Sequence, residues 1–234
     1  MLISLKTAET IIALITFVFA YIVSATTSGF VQAWVAHKMG DDTPARVGYY
    51  TWDPFVHVDL LGALFFIYAG IGWVRFIPIN PININSAFKR ACVYFSRAGA
   101  YFTVALTCLV VLSKVCGTMM TSTAIAMARS GFLSINTLAS CLADSQSWAL
   151  AFTLLLIVMI YMCVILGVLS LIMDGFRFVA ATFFPDNDHL KEGELMSILI
   201  PLLLIMLCTY SLRVIMMQGI TSLGFFISSL LGAS

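Results

Sequence analysis

The feature that most limits what this chain can fold into is the run at 148–173, which carries no charged residue until Asp174. A helix needs about 20 apolar residues to cross the roughly 30 Å hydrocarbon core of a bilayer, and this run is long enough. Four other stretches resemble it. The first, at about 10–36, is interrupted by Thr26, Thr27 and Ser28, with Gln32 one turn on. The second, at 60–74, is short and contains Gly62, Gly70 and Gly72, so it either crosses a thin bilayer or re-enters it. A third covers 91–115 and a fifth 195–212. A further apolar tail at 219–231 is too short to cross and reads as an interfacial or packed helix. Composition agrees: 61% of the 234 residues are hydrophobic and 10% charged, against roughly a quarter charged in a soluble domain. The expected fold is an all-α polytopic membrane protein, one domain over 1–234, with about five to six membrane helices in a bundle. The lipid bilayer is its solvent.

The connections carry little chemistry. The segment 38–58 holds Gly40, Pro44, Gly48 and Pro54 as turn signals. Between them Arg46, Tyr49, Tyr50, Thr51 and Trp52 form an aromatic and β-branched run that predicts a short β-hairpin or extended loop after the first helix. The segment 75–90 is helix-poor around Pro78 and Pro81. The moderately polar stretch 118–146 predicts an amphipathic surface helix, and 185–194 is the most hydrophilic loop. At the start, Lys6, the apolar run 11–23 and Val23-Ser24-Ala25 imitate a secretory signal, but the apolar pattern continues past Ala25 and Glu9 interrupts the basic region. That favours a retained helix. A net charge of +1 gives no argument for nucleic acid or an acidic substrate. The six cysteines include no C-x-x-C pair, and they read as small buried hydrophobes rather than a disulfide or zinc framework.

Three ordered blocks carry a resemblance. Ser28-Gly29-Phe30-Val31-Gln32-Ala33-Trp34-Val35-Ala36-His37-Lys38-Met39-Gly40-Asp41 comes first. Gly48-Tyr49-Tyr50-Thr51-Trp52-Asp53-Pro54 follows, leading into His57-Val58-Asp59-Leu60-Leu61-Gly62. The third block is Gly72-Trp73-Val74-Arg75-Phe76-Ile77-Pro78-Ile79-Asn80-Pro81. In order and spacing these are similar to the compact bacterial branch of the site-2 protease family of intramembrane zinc metalloproteases. Downstream the resemblance thins to Ala98-Gly99 and to Leu171-Ile172-Met173-Asp174-Gly175. Ala100 and Thr103 stand where that family carries a proline and an asparagine.

The resemblance implies peptide-bond hydrolysis by a zinc-bound water, with two histidines one turn apart, a glutamate base beside the first, and an aspartate from the Asp-Gly motif. Carried over, the ligand positions are Ser28, Gln32 and Asp174, and the base position is Gly29. Serine and glutamine are poor zinc ligands, and glycine cannot take a proton. The expectation is therefore an inactive relative that is not an enzyme, binds no zinc and needs no cofactor. His57 and Asp59 read as a polar knot tying the loop to the helix end. Asp174 and Arg177, three residues apart, read as an ion pair at the membrane interface. Phe30, Trp34 and the fourth span are expected to close over a dry former site, with Gln32 bonded to protein near Asp174.

Several functions follow from this pattern. One is a pseudoprotease serving as a structural or accessory subunit among other membrane proteins. Another is a regulatory pseudoenzyme that grips a client's transmembrane segment by strand addition along Arg46, Tyr49, Tyr50 and Trp52. A hydrolase with Ser28 as nucleophile lacks a neighbouring base on the same helix face, and the spans carry almost no charge to define an ion path. The expected location is a bacterial-type inner membrane or an organelle inner membrane.

Overall fold

The computed structural model describes residues 2–69, 72–129 and 148–183. Among them the regular secondary structure is all helical, with three helices long and apolar enough to cross a membrane. These are α1 (Leu2–Met39), α5 (Ala87–Arg129) and α6 (Trp148–Phe183), joined by the shorter α2 (Thr43–Arg46), α3 (Pro54–His57) and α4 (Leu60–Ala69) and a 3-10 turn at Pro81–Asn83. Their candidate spans are Leu14–Met39, Ala87–Leu112 and Leu155–Phe183. Of these, α6 is the most buried, with 72% of its most apolar window buried against 44% for α1 and 28% for α5. The span expected at 195–212, the interfacial or packed helix expected at 219–231 and the loop at 185–194 lie outside the described residues. Of the surface helix expected at 118–146, residues up to Arg129 continue α5, and the remainder is likewise outside.

The chain divides into two compact units. One comprises residues 1–21, 104–163 and 210–234, that is, the start of α1, the later part of α5 and the first part of α6. The other comprises 22–103 and 164–209 and contains all three sequence blocks and Asp174.

In this second unit α1 buries a stripe of Ser24, Ala25, Ser28, Gln32, Ala33 and Ala36, spaced three and four apart. Small residues at that spacing let helix backbones approach closely where no hydrophobic force drives helices together. The helix stops at Gly40, whose φ of 105° suits a residue without Cβ. There Gly40 N–H donates to the His37 carbonyl at 3.2 Å and Asp41 N–H to the Ala36 carbonyl at 2.9 Å. Asp41 is fully buried. Its carboxylate accepts from Thr43 N at 3.1 Å, Thr43 Oγ1 at 2.5 Å, Asn80 N at 2.8 Å and Asn83 Nδ2 at 3.0 Å. One side chain thus starts α2 and fastens the 80–83 turn to the end of α1.

The expected β-hairpin at 46–52 is replaced by helical and bent backbone. The Asp41 carboxylate accepts from Thr43 N–H at the start of a helical turn that carries Pro44 in its first turn, Gly48 sits at φ 90°, and the described residues offer no strand to pair with. The aromatic side chains stack on α1 instead: Phe30 lies 5.5 Å from Tyr50 and 4.2 Å from Trp52, centroid to centroid.

Helix α4 does not cross a bilayer by itself. Ten residues rise about 15 Å, half the core thickness. Beyond it the chain returns along its first turn. A Cβ on Gly62 would sit 1.9 Å from the Trp73 carbonyl oxygen, and one on Gly72 would sit 2.1 Å from the Gly62 oxygen. Two backbones in contact need glycine on both sides. The returning strip buries Val74, Ile77 and Ile79, and Ile79 joins a core with Ala36, Ile84, Val93, Tyr94 and Ala181. Arg90 ties the start of α5 to the end of α6, donating from Nη1 to the Ala181 carbonyl at 3.2 Å.

Candidate functional site

Helix α1 contributes Ser28, Gly29 and Gln32 to the interior of the second unit, and α6 contributes Asp174 and Arg177. Ser28 is 1% exposed, Gln32 0% and Asp174 0%, so the positions that the resemblance aligns with metal ligands lie in packed protein. Ser28 Oγ donates back to the Ala25 carbonyl at 3.2 Å. Gln32 Nε2 donates to the Val93 carbonyl of α5 at 3.4 Å, and the Gln32 side chain also interacts with the Asp174 carboxyl. Arg177 Nη1 donates to Asp174 Oδ1 at 3.3 Å and Nη2 to the Ile77 carbonyl at 2.9 Å. The Arg177 guanidinium also stands 5.6 Å from both the Phe76 and Tyr94 rings.

Three expectations change here. The Asp174–Arg177 pair is internal rather than interfacial, because α6 runs on through Asp174 to Phe183 and buries both partners. Trp34 is 43% exposed and faces away from the site, since it falls off the Ser28–Gln32 stripe. Phe30 is occupied with Tyr50 and Trp52. What covers the site is the polar knot.

His57, at the end of α3, is buried, and its ring meets α1 at Gly29. A Cβ built on Gly29 would come within 2.2 Å of His57 Nδ1 and 2.8 Å of its Cγ. The imidazole therefore fills the space into which a side chain at position 29 would project. His57 Nε2 bonds the Thr51 carbonyl at 2.8 Å. A carbonyl only accepts, so Nε2 carries the proton and Nδ1 is left as a lone pair, with no hydrogen-bond partner among the described residues. The other half of the expected knot, Asp59, accepts from Gly62 N at 2.8 Å and sets the start of α4. The candidate partner residues Arg46, Tyr50 and Trp52 are exposed, and Tyr49 meets the His57 ring edge-on at 6.0 Å.

Burial holds the His57 imidazole below its ordinary value of 6.5. The bond to Thr51 opposes this, Arg97 adds to it, Asp53 opposes it and Arg75 adds to it. As pH falls through 6.5 the unfolded chain takes up a proton that the folded chain refuses. Stability is thus full above 6.5 and expected to fall below it, by up to about 1.4 kcal/mol per pH unit until the folded value is reached. Unfolding measured at pH 7.5 and 5.5 should show this loss in the native chain and a smaller one in His57→Asn.

Sequence reading missed Arg97. It is 1% exposed within the α5 span, donates from Nη2 to the Arg75 carbonyl at 3.1 Å and acts on Asp174 electrostatically. An arginine inside an apolar helix is the signal that could have found it.

These donors do not fit zinc. A catalytic zinc takes three protein ligands, normally imidazole, thiolate or carboxylate. Of the carried-over set, Asp174 alone is such a group, and its Oδ1 is engaged by Arg177. Among the described residues no three His, Cys, Asp or Glu side chains converge to hold a metal ion.

No family model and no solved structure matches the chain. Over 63 residues it is 43% identical to the protein named "Putative zinc metalloprotease YwhC" of Bacillus subtilis (strain 168), a match covering 27% of this chain and 29% of that one. The aligned stretch thus spans less than a third of the relative. The chain is, over that part of its length, a homologue of a protein named as a zinc metalloprotease, and it carries helices suited to a membrane.

Proposed function

We propose that the chain is a non-catalytic member of the site-2 protease type, kept as a structural or accessory subunit of a membrane protein complex. The observation that carries this reading is the seat of His57 on Gly29. A protease of this type needs a carboxylate at that position to activate water. Here the position is glycine, and a neighbouring side chain occupies the space. Ser28 and Gln32 replace imidazoles, and both are absorbed into helix packing by bonds to backbone carbonyls. Such bonds are what polar side chains do between membrane helices.

Client gripping by strand addition finds less support, because residues 46–52 form no strand and their aromatic side chains are engaged with α1. The subunit role is tested by purifying the full chain from its native membrane in a mild detergent and identifying what remains by mass spectrometry. One or more membrane proteins at fixed stoichiometry are expected. Recovery of the chain alone, at the same yield across several detergents, would contradict the role.

A further inference from the structure

Behind the re-entrant strip lies a small cavity of about 20 Å³, walled by residues 72–74 and Phe76, by Arg97 and Tyr101 of α5, and by Ser170 and Met173 of α6. One water needs about 10–15 Å³ of such space, so the cavity admits a particle of roughly one or two water volumes. Arg97 is its notable wall. The side chain is 1% exposed, Nη2 is held by the Arg75 carbonyl, and Nε meets no acceptor among the described residues. A ring face is nearby, with the Phe76 centroid 6.0 Å from the guanidinium carbon.

Charge makes this arrangement incomplete. Arg97 and Arg177 are both buried, and Asp174 is the carboxylate that faces them. Asp174 is salt-bridged to Arg177 at 3.3 Å, and the described residues give Arg97 no salt bridge. Among the described residues this cluster therefore sets two guanidiniums against one carboxylate, the other buried carboxylate, Asp41, being engaged by Thr43, Asn80 and Asn83. An uncompensated charge inside a protein costs several kcal/mol, and within a membrane span an ionisable residue without a counter-charge marks a functional site. Water in the cavity would satisfy the Nε–H and leave the charge. A monovalent anion would satisfy both. Ser170 Oγ already donates to the Gly167 carbonyl at 3.2 Å, so the donor left for the anion is the Arg97 Nε–H, and the volume suits a chloride-sized ion.

We propose that the cavity beside Arg97 is a binding site for one chloride-sized monovalent anion, which neutralises that arginine and locks the 72–76 strip between α5 and α6. The site is separate from the metal question, so its test stands whether or not the chain is a protease.

The probe is chloride or bromide. The full chain is purified in detergent, and its thermal unfolding is followed as sodium gluconate is replaced by sodium chloride or sodium bromide at constant ionic strength. A saturable rise in midpoint is expected with either halide, and it should vanish in Arg97→Met. If Arg97→Met does not accumulate, Arg97→Lys keeps the cation and removes the Nε–H donor. Its half-saturating chloride concentration is then expected to rise about tenfold, the scale of one hydrogen bond to a charged group. Equal midpoints in gluconate and halide would overturn the site, as they would if a carboxylate beyond the described residues neutralised Arg97. An unchanged halide response in Arg97→Met, or an unchanged half-saturation in Arg97→Lys, would also overturn it.

Discussion

Asp174→Leu is expected to lower stability by about 3–5 kcal/mol, the cost of removing one partner of a buried ion pair and leaving the other charge uncompensated. Asp174 is fully buried, and Arg177 reaches it at 3.3 Å. Its loss also removes the negative charge that faces Arg97. The companion variant Asp174→Leu/Arg177→Met should recover much of that cost, because replacing both charges by apolar groups of similar volume is often close to neutral. The recovery will be partial, since Arg177 also donates to the Ile77 carbonyl at 2.9 Å and pins the re-entrant strip. Reversible unfolding of the three proteins in one detergent measures this. A loss below about 1 kcal/mol for the single variant would place the pair in solvent, where such bridges contribute little.

The second large effect belongs to Gly29. Adding a methyl group there puts a carbon 2.2 Å from His57 Nδ1. The ring has little freedom to retreat, because Nε2 is bonded to the Thr51 carbonyl and the His57 carbonyl accepts from Arg75 N at 3.1 Å. Overpacking of this kind costs about 1–3 kcal/mol, and part of it is offset by alanine's advantage over glycine in a helix, about 1 kcal/mol. Gly29→Glu gains a similar helix-propensity offset, but it drives a larger, charged carboxylate into the ring, and it should not accumulate as folded protein. His57→Ala opens the space, so Gly29→Glu/His57→Ala should accumulate better than Gly29→Glu alone. Contacting residues commonly couple by 0.5–3 kcal/mol in such cycles. Normal yield and stability for Gly29→Glu would mean that His57 does not hold that space.

Much of the fold was legible in the sequence, for physical reasons that also explain what was not. The spans at 10–36, 91–115 and 148–173 overlap the three long helices because unbroken apolar runs have one good solution in a bilayer. The run at 60–74 has the same hydrophobicity, yet α4 ends at Ala69 and the chain returns. Gly62 and Gly72 are the cause, and glycines in an apolar run do not announce which backbone will approach them. The hairpin at 46–52 was misread because aromatic and β-branched residues favour strands only where a partner strand exists. Here the Asp41 carboxylate captured the preceding turn and α1 offered a stacking surface. Asp174 with Arg177 was found from spacing, while its depth depended on where α6 ends. The contact between His57 and Gly29 joins residues far apart in sequence, and only the folded chain displays it.

Zinc content measured together with cleavage tests the account most directly. The full chain is purified in detergent, exposed to zinc, freed of excess metal and analysed for zinc per chain. It is then incubated with transmembrane peptides with and without a chelator, alongside Asp174→Asn, which keeps the side-chain shape and removes the charge. The account predicts substoichiometric zinc, the same in both proteins, and no chelator-sensitive cleavage. One zinc per chain together with cleavage that the chelator and Asp174→Asn both abolish would contradict it.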